Sequence, residues 1–403
     1  MANDFDTSTA AARAESRPPV VLQVLPSLVT GGVERGTVEI AQALVAAGWR
    51  AVVASSGGPL VHEIERAGGK HVTLPLASKN PLTVRKNIGR LAETIERHHV
   101  DLVHARSRAP AWSAYWATRR TGRPFVTTFH NAYGAQSGLK RLYNSVMARG
   151  DRVIAISQFV GEHAAEVYGI GHERLRVIPR GVDLARFDPD RMTAERLVVL
   201  ARQWQLPDGA PVIMLPGRLT RWKGHQVLID ALAILGRSDV HCLFVGSGAE
   251  RYKRELSAHA SSRGVGAALR IVEECRDMPA ALMLADVVVS ASTAPEGFGR
   301  VIVEAQAMGR PVIATDHGGA RETVVPGETG WLVPPGNPEA LAHALEAALA
   351  LEPEARLALG RRTREHVRRH FDTALMAART LDVYEELLFP AATTLKAARA
   401  ALA

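Results

Sequence analysis

From residue 20 onward the chain alternates short apolar, β-branched runs with longer stretches of helical periodicity. Residues 20–25 are dominated by valine and leucine and end at Pro26. Such a run fits a strand covered on both faces. The helical pattern after it runs through Ala47 and stops at Gly48. Further strands are predicted at 51–54, 101–104, 124–129, 153–156 and 175–178, with a short one at 72–74. Helices are predicted at 81–98, 110–120 and 138–149, and Ser157 is placed to cap another. Residues 185–209 are charged and weakly patterned, part linker and part helix. The alternation then restarts, with strands at 211–215, 240–245, 269–272, 287–290, 312–315 and 330–333. A helix is predicted at 225–235, and residues 338 to the end read as helical.

Two successive series of this kind, with no hairpin signal, predict an α/β protein of two doubly wound, Rossmann-like domains with parallel sheets. The expected divisions are a disordered tail at 1–17, a first domain at 18–200, a second at 201–371 and a C-terminal helix at 372–403. Ligands of such sheets bind beyond the carboxyl ends of the strands. The turns at Gly31, His130, Gly217, Gly246 and Glu296 all follow predicted strands. Two domains whose carboxyl edges face each other across a cleft would gather them.

Composition changes this picture little. The 403 residues suffice for two domains, and 47% apolar with 22% charged residues is ordinary for a soluble globular chain. No secretory signal is legible at the N-terminus. No apolar run approaches the ~18–20 residues of a spanning helix. Cys242 and Cys275 sit in or beside apolar segments and read as core thiols in a reducing, cytoplasmic compartment.

Charge changes it more. The net charge is +8, and residues 51–150 hold 15 Lys/Arg against 5 Asp/Glu. Local basicity of this kind suggests an anionic surface or acceptor, such as the inner face of a membrane. No nucleic-acid-binding motif is present, so nucleic acid is not an expected partner. The stretch 138–149 places Leu139, Leu142, Tyr143, Val146 and Met147 on one helical face and Lys140 and Arg141 toward the other. It reads either as a membrane-lying helix or, as is commoner, as one packed on its own sheet.

The candidate chemistry centres on Glu296 and Glu304, eight positions apart, with Gly297-Phe298-Gly299 after the first. A helix is expected to start near Phe298, and a helix N-terminus seats anions. Two carboxylates beside such a turn suit a ligand with a phosphate end and hydroxyls to grip. A solvated pair of acids is the plainer alternative. Arg218 and Lys223 flank a strand–helix turn, where a guanidinium and an ammonium can clamp a diphosphate. Gly31-Gly32 opens the first helix and allows close backbone approach of a phosphate or sugar, although it is not the three-glycine dinucleotide fingerprint. Gly246-Ser247-Gly248 lacks the third glycine and reads as a plain turn. His130 ends a strand and opens a loop. Asp188-Pro189-Asp190 reads as a turn rather than a cation site, and no His/Cys cluster has metal-ligand spacing.

In combination these motifs resemble the retaining nucleotide-sugar glycosyltransferases of the GT-B architecture, and most closely family 4. The resemblance covers roughly residues 20–389. It rests on Gly217-Arg218-Leu219 with Lys223-Gly224, the two glutamates, Gly330-Trp331-Leu332-Val333-Pro334, Pro179-x-Gly181-Val182-Asp183 and Gly31-Gly32. It implies a donor-binding second domain in which Arg218 and Lys223 hold the diphosphate. Glu296 would contact hydroxyls of the transferred sugar and Glu304 the ribose, with the backbone of Gly297, Phe298 and Gly299 holding the sugar. The first domain would bind the acceptor, with His130 near the reacting carbon. The C-terminal helix would cross back to the first domain. The resemblance implies a UDP-sugar or GDP-sugar donor, a lipid-linked or saccharide acceptor in cell-envelope glycan synthesis such as lipopolysaccharide, and no metal or other cofactor. Arg180 departs from the asparagine usual at its position. A nucleotide-sugar epimerase and a non-catalytic sugar-nucleotide-binding protein are the rival readings.

Overall fold

The computed structural model describes residues 17–29, 31–134 and 137–391. The expected tail at 1–17 lies outside these residues except for Arg17, whose guanidinium pairs with Asp101 at 2.7 Å. The chain forms two compact units, one of 1–179 with 374–403, the other of 180–373.

The first unit is built on seven parallel strands: β1 Val20–Val24, β2 Arg50–Ser55, β3 Lys70–Thr73, β4 Leu102–Ala105, β5 Phe125–Phe129, β6 Arg152–Ala155 and β7 Leu175–Val177. Their order is β3-β2-β1-β4-β5-β6-β7. β1 and β5 are buried at every position, which is why their sequences do not alternate apolar with charged residues; the polar side chains among them, Gln23, Thr127 and Thr128, are buried as well. Parallel neighbours need crossovers, and helices supply them. Helix Pro81–Arg97 begins where Asn80 accepts from the Leu82 N–H with proline at the first position. Helices Arg108–Thr121 and Gln158–Tyr168 both end at a left-handed glycine, and Ser157 caps the second.

One face of this sheet is covered by helix Gly32–Ala46 together with the C-terminal helix Thr373–Leu388. Val21, Leu102, Val126 and Ile154 of the strands pack with Val38 and Leu44 of the first helix and Val383 and Tyr384 of the second. Arg152 and Arg176 both bind Glu386 at 2.7 Å, fixing the C-terminal helix across β6 and β7.

The second unit has six parallel strands: β8 Val212–Pro216, β9 His241–Val245, β10 Leu269–Val272, β11 Val287–Ser290, β12 Val312–Thr315 and β13 Trp331–Val333, in the order β10-β9-β8-β11-β12-β13. The helical stretch from Pro338 onward is broken before Pro353 and at Phe371–Asp372 into Pro338–Leu349, Pro353–His370 and Thr373–Leu388.

The chain passes between the units at Pro179/Arg180, not at 200/201. The reason is helix Ala194–Gln203, from the weakly patterned stretch. It packs on helix Met278–Leu284 of the second unit, with Arg196 in a bidentate pair to Asp277 at 2.8 and 3.0 Å. Cys242 is buried in β9, as a core thiol should be. Cys275 is only half-buried, on the loop after β10, which corrects its reading as a core thiol. The helix expected at 138–149 is Gly138–Asn144 followed by a tighter turn, Ser145–Arg149. The expected apolar face is split: Leu139 is 83% exposed and Leu142 is exposed too, whereas Val146 and Met147 of the turn are buried, so only the second half packs as a sheet-covering segment.

Candidate active site

In the second sheet the strand order reverses between β8 and β11, and the crevice outside that point is where a doubly wound sheet binds ligands. Two loops frame it, 217–224 after β8 and 291–299 after β11. They are locked together. The Thr293 N–H donates to the Trp222 carbonyl at 2.7 Å. A Cβ on Gly224 would stand 1.7 Å from the Ala291 carbonyl oxygen, so only glycine lets the loops approach this closely. The Gly246-Ser247-Gly248 turn, read as a plain turn, buttresses the first loop. The Val245 and Ser247 carbonyls accept from Gly217 and Leu219, both at 2.9 Å.

Lys223 ends the short turn Arg221–Lys223. Its Nζ lies 2.8 Å from Glu296 Oε1. The same oxygen accepts from Ser290 Oγ at 3.1 Å and from Ser292 Oγ. Burial works to raise the Glu296 carboxyl. The Lys223 ammonium and the three hydrogen bonds outweigh it and hold the pKa below its ordinary value. Glu296 is therefore an anion at neutral pH. Arg218 is exposed on the same loop and, among the described residues, has no ion-pair or hydrogen-bond partner.

Phe298 is buried, edge-on to Phe371 at 5.5 Å. Gly299 is left-handed, with φ 81°, and caps helix Arg300–Ala307, which starts two residues later than expected. Glu304 accepts from Arg300 Nε at 2.9 Å, one turn along that helix. It joins the site through the helix and not by contact with Lys223.

A third loop, 315–319 after β12, escaped the sequence reading. His317 Nε2 and Thr315 Oγ1 lie 2.8 and 2.9 Å from the Ser292 carbonyl oxygen. The Gly319 N–H donates to the Glu296 carbonyl at 2.9 Å. A Cβ on Gly319 would come within 2.5 Å of Phe298 Cα. The available signal was Gly318-Gly319 directly after a predicted strand, the same kind of pattern as Gly31-Gly32. Ser290 and Ser292 gave no signal, since lone serines at a strand end are common.

Gly31, Gly32 and His130 belong to the first unit, at the carboxyl ends of β1 and β5. Gly31 caps helix Gly32–Ala46. A Cβ there would meet Glu34 Oε2 at 2.3 Å, so that carboxylate leans over the turn. The His130 N–H donates to Tyr133 Oη at 3.2 Å. Tyr133 stacks on Phe129 at 5.2 Å, under the Arg108 guanidinium at 4.2 Å. Arg180 is buried at the start of the second unit. Asp188 and Asp190 are paired by Arg364 at 3.3 and 3.0 Å, in keeping with a turn. Among the described residues no three His, Cys, Asp or Glu side chains are grouped to hold a metal ion.

Comparisons with known proteins bear on the family and the fold. The family model described as Glycosyl transferases group 1 matches residues 200–366, and that described as Glycosyltransferase Family 4 matches residues 30–186. A relative named D-inositol 3-phosphate glycosyltransferase, from Jonesia denitrificans, is 32% identical over 71% of this chain and 71% of its own length. A glycosyltransferase crystal structure from Rickettsia africae has a TM-score of 0.85 at 38% identity, covering 92% of this chain and 99% of that one. The Anabaena HepE structure in complex with UDP-glucose has a TM-score of 0.80 at 25% identity, covering 91% and 100%. Two Rossmann-like parallel-sheet units, the two family matches and these relatives lead to one assignment: the chain belongs to glycosyltransferase family 4, the group 1 enzymes of the GT-B fold.

Proposed function

We propose that this glycosyltransferase moves a sugar from a nucleoside-diphosphate sugar to a lipid-linked or saccharide acceptor in bacterial envelope glycan synthesis, with retention of anomeric configuration. The observation that carries the reading is the Lys223–Glu296 pair at the switch point of the second sheet, with the Arg218 guanidinium exposed on the same loop. Both charges are largely buried and bound to each other. A diphosphate gives Lys223 a better partner, and a sugar hydroxyl gives Glu296 one.

In this reading Arg218 and Lys223 bind the diphosphate and stabilise the charge it gains on leaving. Glu296 accepts from hydroxyls of the transferred sugar, with the backbone of Gly297, Phe298 and Gly299 beside it, and Glu304 accepts from the ribose. Gly31 and Gly32 offer N–H groups to the phosphate, and His130 serves the reacting carbon. The bond from the anomeric carbon to the phosphate oxygen breaks as the acceptor oxygen bonds to that carbon. The acceptor's proton passes to the leaving phosphate oxygen. No enzymic base and no metal are needed in this scheme.

The acceptor reading draws on the basic 51–150 region, which suits a phosphate-bearing acceptor or peripheral contact with the inner face of an anionic membrane. The name of the Jonesia relative also carries a phosphate-bearing acceptor. Among the described residues no helix is long and apolar enough to cross a membrane. Thermal melting with UDP and with GDP tests the donor half. A ligand at 100 times its dissociation constant adds about 2.7 kcal/mol. Silence from both nucleotides would sink the proposal, and NMR of the product's anomeric centre tests retention.

A further inference from the structure

Between Asp101 and Asp151 the sequence holds eight Lys/Arg and no Asp or Glu. In the first unit this stretch builds β4, helix Arg108–Thr121, β5 and helix Gly138–Asn144. It also carries a run of exposed apolar side chains: Leu139 is 83% exposed, Leu142 59%, Tyr143 46% and Trp116 49%. Helix Gly138–Asn144 buries only Asn144, whereas the turn after it takes Val146 and Met147 into the core. An aromatic chain joins the exposed residues. Trp112 Nε1 donates to the Tyr143 carbonyl at 3.0 Å, Trp112 meets Tyr115 edge-on at 6.4 Å, and Tyr115 meets Trp116 at 5.2 Å. Arg119, Arg120, Lys140, Arg141 and Arg149 are exposed in the same elements.

We propose that this face docks on an anionic lipid bilayer, and that docking sets the loop carrying His130. Exposed Leu, Trp and Tyr tips suit the headgroup boundary, and the flanking cations suit lipid phosphates. A second copy of the chain would bring the same excess of lysine and arginine to this face, which disfavours a two-fold interface. The wiring to His130 is short. Asn144 Nδ2 donates to the Gly134 carbonyl at 3.1 Å, and its Oδ1 accepts from Arg108 at 3.0 Å. The Arg108 guanidinium lies over Tyr133, whose hydroxyl accepts from the His130 N–H. The role of His130 rests on the proposed transferase reading; the docking face does not.

The test uses the full chain with vesicles of phosphatidylcholine alone and of phosphatidylcholine mixed with phosphatidylglycerol. The protein sediments with the mixed vesicles only, and less so as salt is raised. Leu139→Asp with Leu142→Asp lowers that binding at least about tenfold. Lys140→Ala with Arg141→Ala lowers it roughly thirtyfold, at about one elementary step of 1 kcal/mol per charge. Hydrogen exchange of the amides at 130–134 slows with mixed vesicles and not with phosphatidylcholine. Absence of vesicle binding, or equal binding by the Leu139/Leu142 variant, overturns the docking face. So does a dimer that this variant abolishes without any vesicle binding. Unchanged exchange at 130–134 in the bound state overturns the coupling. Vesicle binding with no response to UDP or GDP would sink the proposed donor reading and leave the docking face standing.

Discussion

The Lys223 ammonium and the Glu296 carboxylate, 73 residues apart in sequence, lie 2.8 Å apart with most of each side chain out of solvent. Each is the other's counter-ion in the free protein. Removing one leaves the other buried and uncompensated. Lys223→Met should therefore destabilise the chain by about 3 kcal/mol in urea denaturation. The double variant Lys223→Met/Glu296→Gln should recover more than half of that loss. Donor turnover should fall about 10²–10³-fold in either variant lacking the ammonium. A single variant as stable as the double would show that the pair carries no strain of charge.

Ser292 Oγ and Ser290 Oγ both donate to Glu296 Oε1 and so fix the orientation of the carboxylate. The Ser292 backbone carbonyl holds Thr315 and His317 whatever its side chain is. Ser292→Ala should weaken binding of the nucleotide sugar about tenfold, the worth of a hydrogen bond to a charged group. The affinity for the nucleoside diphosphate alone should stay unchanged. Calorimetric titration with both ligands checks this, and an equal loss for both would remove Glu296 from sugar recognition.

Gly319 has its backbone against the turn that follows Glu296. A methyl group there would fall 2.7 Å from the Gly297 carbonyl oxygen. Gly319→Ala should push the two loops apart at a cost of about 1–3 kcal/mol in stability. It should also weaken donor binding more than an exposed substitution in the short helix that follows the loop, such as Arg321→Ala. Melting curves with and without nucleotide separate the two effects.

His225 follows Gly224 and is fully buried beside Phe244 and Tyr252, with ring centroids at 4.8 and 6.0 Å. Burial lowers its pKa from 6.5 to about 4, against a smaller upward pull from the Thr220 backbone. The folded state thus refuses a proton that the unfolded chain accepts. Its contribution is complete above pH 6.5 and is lost as pH falls toward 4, by about 3 kcal/mol in all. Glu296 acts in the same direction lower on the scale, because its pKa is also depressed. His225→Leu should flatten the slope of melting temperature against pH between 4 and 6.5. An unchanged slope would place the titration elsewhere.

Tyr384 of the C-terminal helix bonds His104 Nδ1 at 2.7 Å, and Thr128 holds Nε2 at 2.7 Å. All three are buried. Tyr384→Phe should cost about 1–3 kcal/mol by leaving the imidazole without that partner. Urea denaturation followed by tryptophan fluorescence measures it.

The sequence by itself determined the alternation of strands and helices, the parallel sheets, the turns at strand ends and the residue types of the candidate site. These are local properties: apolar runs, caps, glycines and prolines act within a few residues. It also located the basic region, because charge can be counted. Tertiary structure decided the rest. Strand order, with β4 beside β1 and β11 beside β8, depends on burial between distant segments, and it is what brings Glu296 to Lys223 and Ser292 under the 315–319 loop. Helix Ala194–Gln203 went to the second unit because Asp277 and the helix behind it lie there, moving the division back to residue 179. The exposed face of helix Gly138–Asn144 was equally undecidable from its periodicity. An amphipathic pattern says that one side is apolar, and only packing decides whether the sheet or something outside the chain covers it.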